Sequence, residues 1–92
     1  MEALSEKLGD LKRLLPLTRA VLFGSYARGD HTAASDVDVL LVYAGEERPD
    51  AYALSKKILG VRRLEPHLYT EDEYGAMADT IQRMTRGGIP LL

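Results

Sequence analysis

Apolar positions follow three spacings along this chain, and each spacing predicts a different kind of element. Leu4, Leu8, Leu11, Leu14 and Leu15 recur every three or four residues, which predicts a first helix with one buried stripe, stopping near Leu15 because Pro16 cannot continue it. Residues 19–23 (RAVLF) form a short apolar run halted by Gly24. Residues 36–43 (DVDVLLVY) form a second run, rich in branched aliphatic side chains. Both read as strands. Beyond the polar loop 45–50, residues 51–59 suit a second helix, 61–69 a third strand and 70–86 a last helix, opened by a capping box of Thr70 and Glu73.

The order helix, strand, strand, helix, strand, helix predicts an α/β (α+β) fold, a small mixed β-sheet with helices packed against it. Ninety-two residues suffice for one core, so residues 1–92 are expected to form a single domain without room for a separate substrate-recognition unit. A partner, or a second copy forming a homo-oligomer, is expected to supply what is missing. The terminal GGIPLL places Ile89, Leu91 and Leu92 beyond a double glycine, and folding back onto the domain is the expected fate of these apolar residues.

Composition narrows the function. The chain is 46% hydrophobic and 28% charged, as in ordinary folded proteins rather than disordered ones. Its 12 basic residues are outnumbered by 14 acidic ones, leaving a net charge of −2 and no broad basic face for bulk nucleic acid. Cysteine is absent, which excludes disulfides, thiolate metal sites and thiol nucleophiles. The amphipathic, acidic amino terminus is not a signal peptide, and no apolar run reaches the roughly 20 residues that span a bilayer. Cytoplasm is therefore the expected compartment, with no membrane association.

Chemistry concentrates between the first two strands. In a strand, Asp36 and Asp38 point to the same face, roughly 7 Å apart along the chain. Lying at the strand's start, they fall on the polar rim rather than the floor of the sheet. A divalent cation between them turns mutual repulsion into binding, and oxygen-only ligands favour magnesium or manganese. Gly24 ends the preceding strand, where a positive φ lets its backbone approach a phosphate, and Ser25 adds a hydroxyl. A helical turn starting at Ser25 would add free N–H groups to the same anion site. Alone, a Gly-Ser turn is ordinary and an Asp-x-Asp is often a solvated strand start. Four such residues at about 6% usage each coincide by chance in roughly one sequence in a thousand.

Gly24, Ser25, ten intervening residues and Asp36-Val37-Asp38 match the pattern G-S-x10-D-x-D, and GSYARGDHTAASDVDVLLV resembles the minimal nucleotidyltransferases over nearly the whole chain. The resemblance implies a nucleotidyltransferase fold related to the catalytic domain of DNA polymerase β, two Mg2+ ions, and attack on the α-phosphate of ATP or another NTP with release of pyrophosphate. Carried over by position, Gly24 and Ser25 hold the distal phosphates, Asp36 and Asp38 ligate metal, and a third carboxylate from the next strand completes the site. Only Glu65 is available there, followed by Pro66, which a strand tolerates at an edge. Arg28 falls where the likeness also has an arginine; it is read either as a phosphate contact or as an ion-pair partner of Asp30 or Asp36. The likeness further implies a HEPN-domain protein as partner, whose tyrosine receives AMP, making this chain an antitoxin. The alternative is a catalytically weak module that neutralises the same partner by binding.

The remaining polar residues add less. Tyr26 is expected to pack. His31 has no metal-ligand spacing and is expected in a surface loop. His67 shares strand parity with Glu65 and is expected to face the same cleft, as an outer group or proton carrier. Arg62, His67 and Tyr69 spell R-x4-H-x-Y, which resembles the ribonuclease motif of HEPN proteins, but Pro66 forbids a regular helix there and the chain is too β-rich for that all-helical fold.

Overall fold

The computed structural model describes residues 2–92. Helix α1, Glu2–Leu14, buries Leu4, Leu8 and Leu11, and Leu15 is buried just beyond it, but Leu14 of the expected stripe is exposed. Pro16 ends it, and strand β1 (Leu17–Phe23) begins two residues earlier than the apolar run at 19–23 suggests. Then follow a single helical turn, α2 (Ser25–Arg28), strand β2 (Val37–Tyr43), helix α3 (Ala51–Leu59) and strand β3 (Leu64–Thr70).

Three further differences from the expected elements stand out. Asp36 lies outside β2, just before its first residue. The third strand starts at Leu64 rather than Val61, because Arg63 adopts φ 62°, a left-handed conformation that extended backbone cannot include. The last helix is broken into α4 (Glu71–Ala76) and α5 (Ala78–Met84) at Met77, whose φ of −116° leaves helical geometry. The capping box forms as expected: the Glu73 N–H donates to the Thr70 hydroxyl at 3.1 Å, and the Thr70 N–H donates to the Glu73 carboxylate at 2.9 Å.

The carboxyl-terminal backbone folds back and Leu91 packs against the core, while the Ile89 and Leu92 side chains stay exposed. Gly87 takes φ 77°, and Gly88 crosses so close to β1 that a Cβ there would sit 2.6 Å from Val21 Cγ1. Only glycine passes. A short strand β4 (Ile89–Pro90) then pairs with Val21 and Leu22, and the Leu91 N–H donates to the Ala20 carbonyl at 2.8 Å. The sheet has order β3-β2-β1-β4, with β3 parallel to β2 and the other pairs antiparallel. Pro66 is accommodated because β3 is an edge strand, where the missing N–H breaks no ladder.

Alternation sorts β2 between two faces. Val37, Val39, Leu41 and Tyr43 join the main core beneath α1 and α3. Leu40 and Val42 face the other way, into a smaller cluster with Phe23 and Ile81 of α5. Asp38 shares that second face, but α5 covers only its far end. The near end, where Asp38 and Glu65 stand side by side in register, stays open.

Candidate active site

Gly24 is the hinge of the site. It caps α2 with φ 77° and ψ −153°, a conformation that side-chain-bearing residues avoid. A Cβ built on it would meet Asp38 Oδ2 at 2.6 Å, so the glycine backbone lies directly against the carboxylate. Sequence spacing alone separates these residues by a long loop. Antiparallel pairing of Phe23 with Asp38 closes that distance, because Gly24 follows Phe23 immediately.

Each of the three carboxylates read from sequence already has a protein partner. Asp38 Oδ1 lies 3.2 Å from His67 Nε2, with both side chains about 30% exposed (28% and 30%). Asp36, half exposed, lies 3.5 Å from Arg63 Nη2. Glu65 Oε1 accepts a hydrogen bond from the Tyr52 hydroxyl at 3.2 Å. Among the described residues, no three His, Asp or Glu side chains converge on one point as a ready-made metal cage. Three carboxylates against one guanidinium nevertheless leave a local surplus of negative charge at an oxygen-only donor set. That is the chemistry a hard divalent cation satisfies, once it displaces the weak partners. The residues fit such a cation by donor type and by the close Gly24–Asp38 approach.

The other named residues fall where burial and charge send them. Arg28 is exposed and pairs with Asp30 at 3.3 Å, the local ion pair rather than a contact with Asp36. His31 is an exposed loop residue whose ring stacks on Tyr26, centroids 4.0 Å apart. His67 faces the site, packed against Phe23 at 5.0 Å, as its parity with Glu65 required.

Two neighbours escaped the reading of the sequence. Arg63 holds Asp36 by its side chain, and its carbonyl accepts from the Val37 N–H at 2.9 Å, so one residue fixes the chain on both sides of the first aspartate's Cα–C bond. Among the described residues it is the one non-glycine with positive φ, a strain of about 1–3 kcal/mol that persists only where surrounding contacts impose it. Its signal was the Arg62-Arg63 pair just ahead of the third strand, a basic step leading into an acidic site. Tyr52 is the other. It lies on α3, far from the motif in sequence, and only the path of α3 along β3 brings it to Glu65.

The site is a rim, not a hole. A cleft of about 270 Å3 lined by Tyr43, Arg48, Tyr52 and Glu73 opens beside β3, but Asp36, Asp38 and Gly24 do not line it. Within the loop before α3, the exposed Asp50 carboxyl is held below its ordinary pKa, first by hydrogen bonding from Arg48. No helix among the described residues is long and apolar enough to cross a membrane.

A mixed sheet that sets a Gly-Ser turn against an Asp-x-Asp at its open rim defines a nucleotidyltransferase-type α/β domain. Comparison with known proteins gives the same class: a family model described as "Nucleotidyltransferase domain" matches residues 4–86. The chain belongs to that family. Among curated proteins it is 48% identical over 44 residues to the putative protein adenylyltransferase MJ0141 of Methanocaldococcus jannaschii, covering 46% of this chain and 44% of that one. It is also 58% identical over 26 residues to the putative protein adenylyltransferase MJ0604 of the same organism, covering 28% of this chain and 26% of that one. The chain thus spans less than half the length of the curated relatives it matches. A crystal structure of a putative nucleotidyltransferase from Sulfolobus solfataricus superposes with a TM-score of 0.64 over 97% of this chain and 76% of its own, at 21% identity, a likeness of fold.

Proposed function

We propose that this protein is a magnesium-dependent nucleotidyltransferase that moves an NMP, AMP from ATP, onto a hydroxyl of a protein partner. One observation carries the reading: the Gly24 backbone is pressed against the Asp38 carboxylate, so a phosphate-binding turn and a metal-binding group share one corner. Gly24 and Ser25 hold the distal phosphates, Asp36 and Asp38 hold the divalent cation, and Glu65 takes the proton of the attacking hydroxyl. When bound, the cation supplies charge neutralisation at the transferred and leaving phosphates. The Arg63 guanidinium, released from Asp36, is free to turn to the triphosphate.

The likeness to minimal nucleotidyltransferases supports a HEPN-domain toxin as the acceptor and an antitoxin role for this chain in the cytoplasm, where its lack of cysteine is at home. Incubating the protein with labelled ATP, magnesium and a cognate HEPN protein should transfer label to the latter. No transfer, or equal transfer by Asp38→Ala, overturns the reading.

A second reading has its own observation in favour. Glu65 is engaged by Tyr52 and Asp38 by His67, and among the described residues no three ligands converge, which suits a module that neutralises its partner by binding and turns over slowly. It requires inhibition of the partner to survive both Asp36→Ala and Asp38→Ala without nucleotide.

A further inference from the structure

Tyr52 has no part in the reaction above, yet its hydroxyl sits on one of the site's carboxylates. It is 45% exposed on the second residue of α3, and its hydroxyl donates to Glu65 Oε1 at 3.2 Å. Glu65 is the register partner of Asp38, so the phenol stands one carboxylate away from the proposed metal-binding side chain. A hydroxyl hydrogen-bonded to a carboxylate is the arrangement of an activated nucleophile with its base. Lys56, one turn further along α3, places its ammonium over the Tyr52 ring, 5.5 Å from the centroid, so a cation accompanies the phenol.

We infer that Tyr52 is a self-modification site, nucleotidylated by the chain's own active site. The inference rests on the transferase reading. The Tyr52 oxygen attacks the α-phosphorus of the NTP, the bond from that phosphorus to the bridging oxygen breaks, and pyrophosphate leaves. The phenolic proton passes to Glu65, and the product is a phosphodiester between Tyr52 and the nucleoside monophosphate. Modification removes the hydrogen bond to Glu65 and sets a charged group over the rim, so it also occupies the position an external acceptor needs.

The full chain is incubated alone with α-labelled ATP and magnesium, the label is located by peptide mass spectrometry, and melting is followed with ATP and magnesium separately and together. Label at Tyr52 is expected, absent in Tyr52→Phe and reduced by roughly 100-fold in Glu65→Gln, the usual worth of a general base. Both variants should melt within a few degrees of the parent, since both side chains are solvent-accessible. The rate per chain should not change on tenfold dilution, because the hydroxyl and its base belong to one molecule. Label on a different residue, or a rate proportional to protein concentration, overturns the inference. So does the absence of label while ATP and magnesium together raise the melting temperature, an outcome that leaves the transferase reading standing. Neither label nor a joint shift sinks both.

Discussion

The two faces of the sheet are built from the same strands and differ in what covers them. Beneath α1 and α3, Leu8, Leu11, Val39 and Leu41 have no exposed surface at all. On the opposite face, Leu40 and Val42 are buried among Phe23, Tyr74 of α4 and Ile81 of α5, but two residues before Leu40 Asp38 is still partly in water. Strand β2 therefore carries a core at one end and a charged rim at the other. The lesson is one of economy in a small domain. An uncovered sheet end keeps ionised carboxylates hydrated, where full burial would cost several kcal/mol per charge, while the strand beneath them is held rigid by the covered face.

Substitutions on the two faces should separate stability from chemistry. The largest effect is expected from Leu41→Ala on the covered face: about 2–5 kcal/mol of stability lost, read by urea denaturation, with transfer per folded molecule unchanged. Asp38→Ala on the open face should do the reverse. If Asp38 ligates metal as proposed, its loss should exceed the 10–100-fold that groups supporting a ligand are worth, so transfer should drop by more than about 100-fold, while stability shifts by less than about 1 kcal/mol. A Leu41 variant with normal stability, or an Asp38 variant that unfolds, would break the contrast.

Gly24→Ala lies between the two regimes. Its φ of 77° imposes a cost of roughly 1–2 kcal/mol on a residue with a Cβ, and that Cβ must push Asp38 Oδ2 away. Stability and nucleotide-dependent melting should therefore fall together, whereas Gly9→Ala in the exposed middle of α1, where a Cβ meets nothing within 4 Å, should leave both intact or raise stability slightly. The smallest effect is electrostatic. Asp50 has its pKa depressed by Arg48, so it contributes stability present above its unfolded value of about 3.9 and lost as pH falls through the lower folded value. Asp50→Asn should thus lower the melting temperature slightly at neutral pH, with the gap to the parent closing as pH drops below that window.

Much of this arrangement was legible in order and spacing. The leucine stripe of α1, the apolar run of β2 and the Thr70–Glu73 cap are local patterns, each set by residues within a turn or two of one another. The candidate motif was legible because Gly24, Ser25 and Asp38 keep the spacing that brings them together at the end of one strand pair, with Asp36 just ahead of it. The break at Met77 and the delayed start of β3 were not, because neither involves a proline or a shift in apolar period. Met77 carries ordinary helix-forming chemistry, and Arg63 takes a conformation that its residue type disfavours, held there by its contacts with Asp36 and Val37.

The partners of the site carboxylates were least legible of all. Nothing near Asp38 in the chain points to His67, nor near Glu65 to Tyr52, since a hydrogen bond between side chains 29 or 13 residues apart leaves no periodic trace. Sequence by itself determined the order of the main helices and strands, the alternation of faces along β2, and which carboxylates and glycine match the motif, because these follow from backbone periodicity and residue chemistry. Only the tertiary structure decided that α5 stops short of Asp38, that Gly24 presses on that carboxylate, and that Tyr52 reaches Glu65. Those are outcomes of how helices pack on a twisted sheet, where a few ångströms separate a buried strand from an open site.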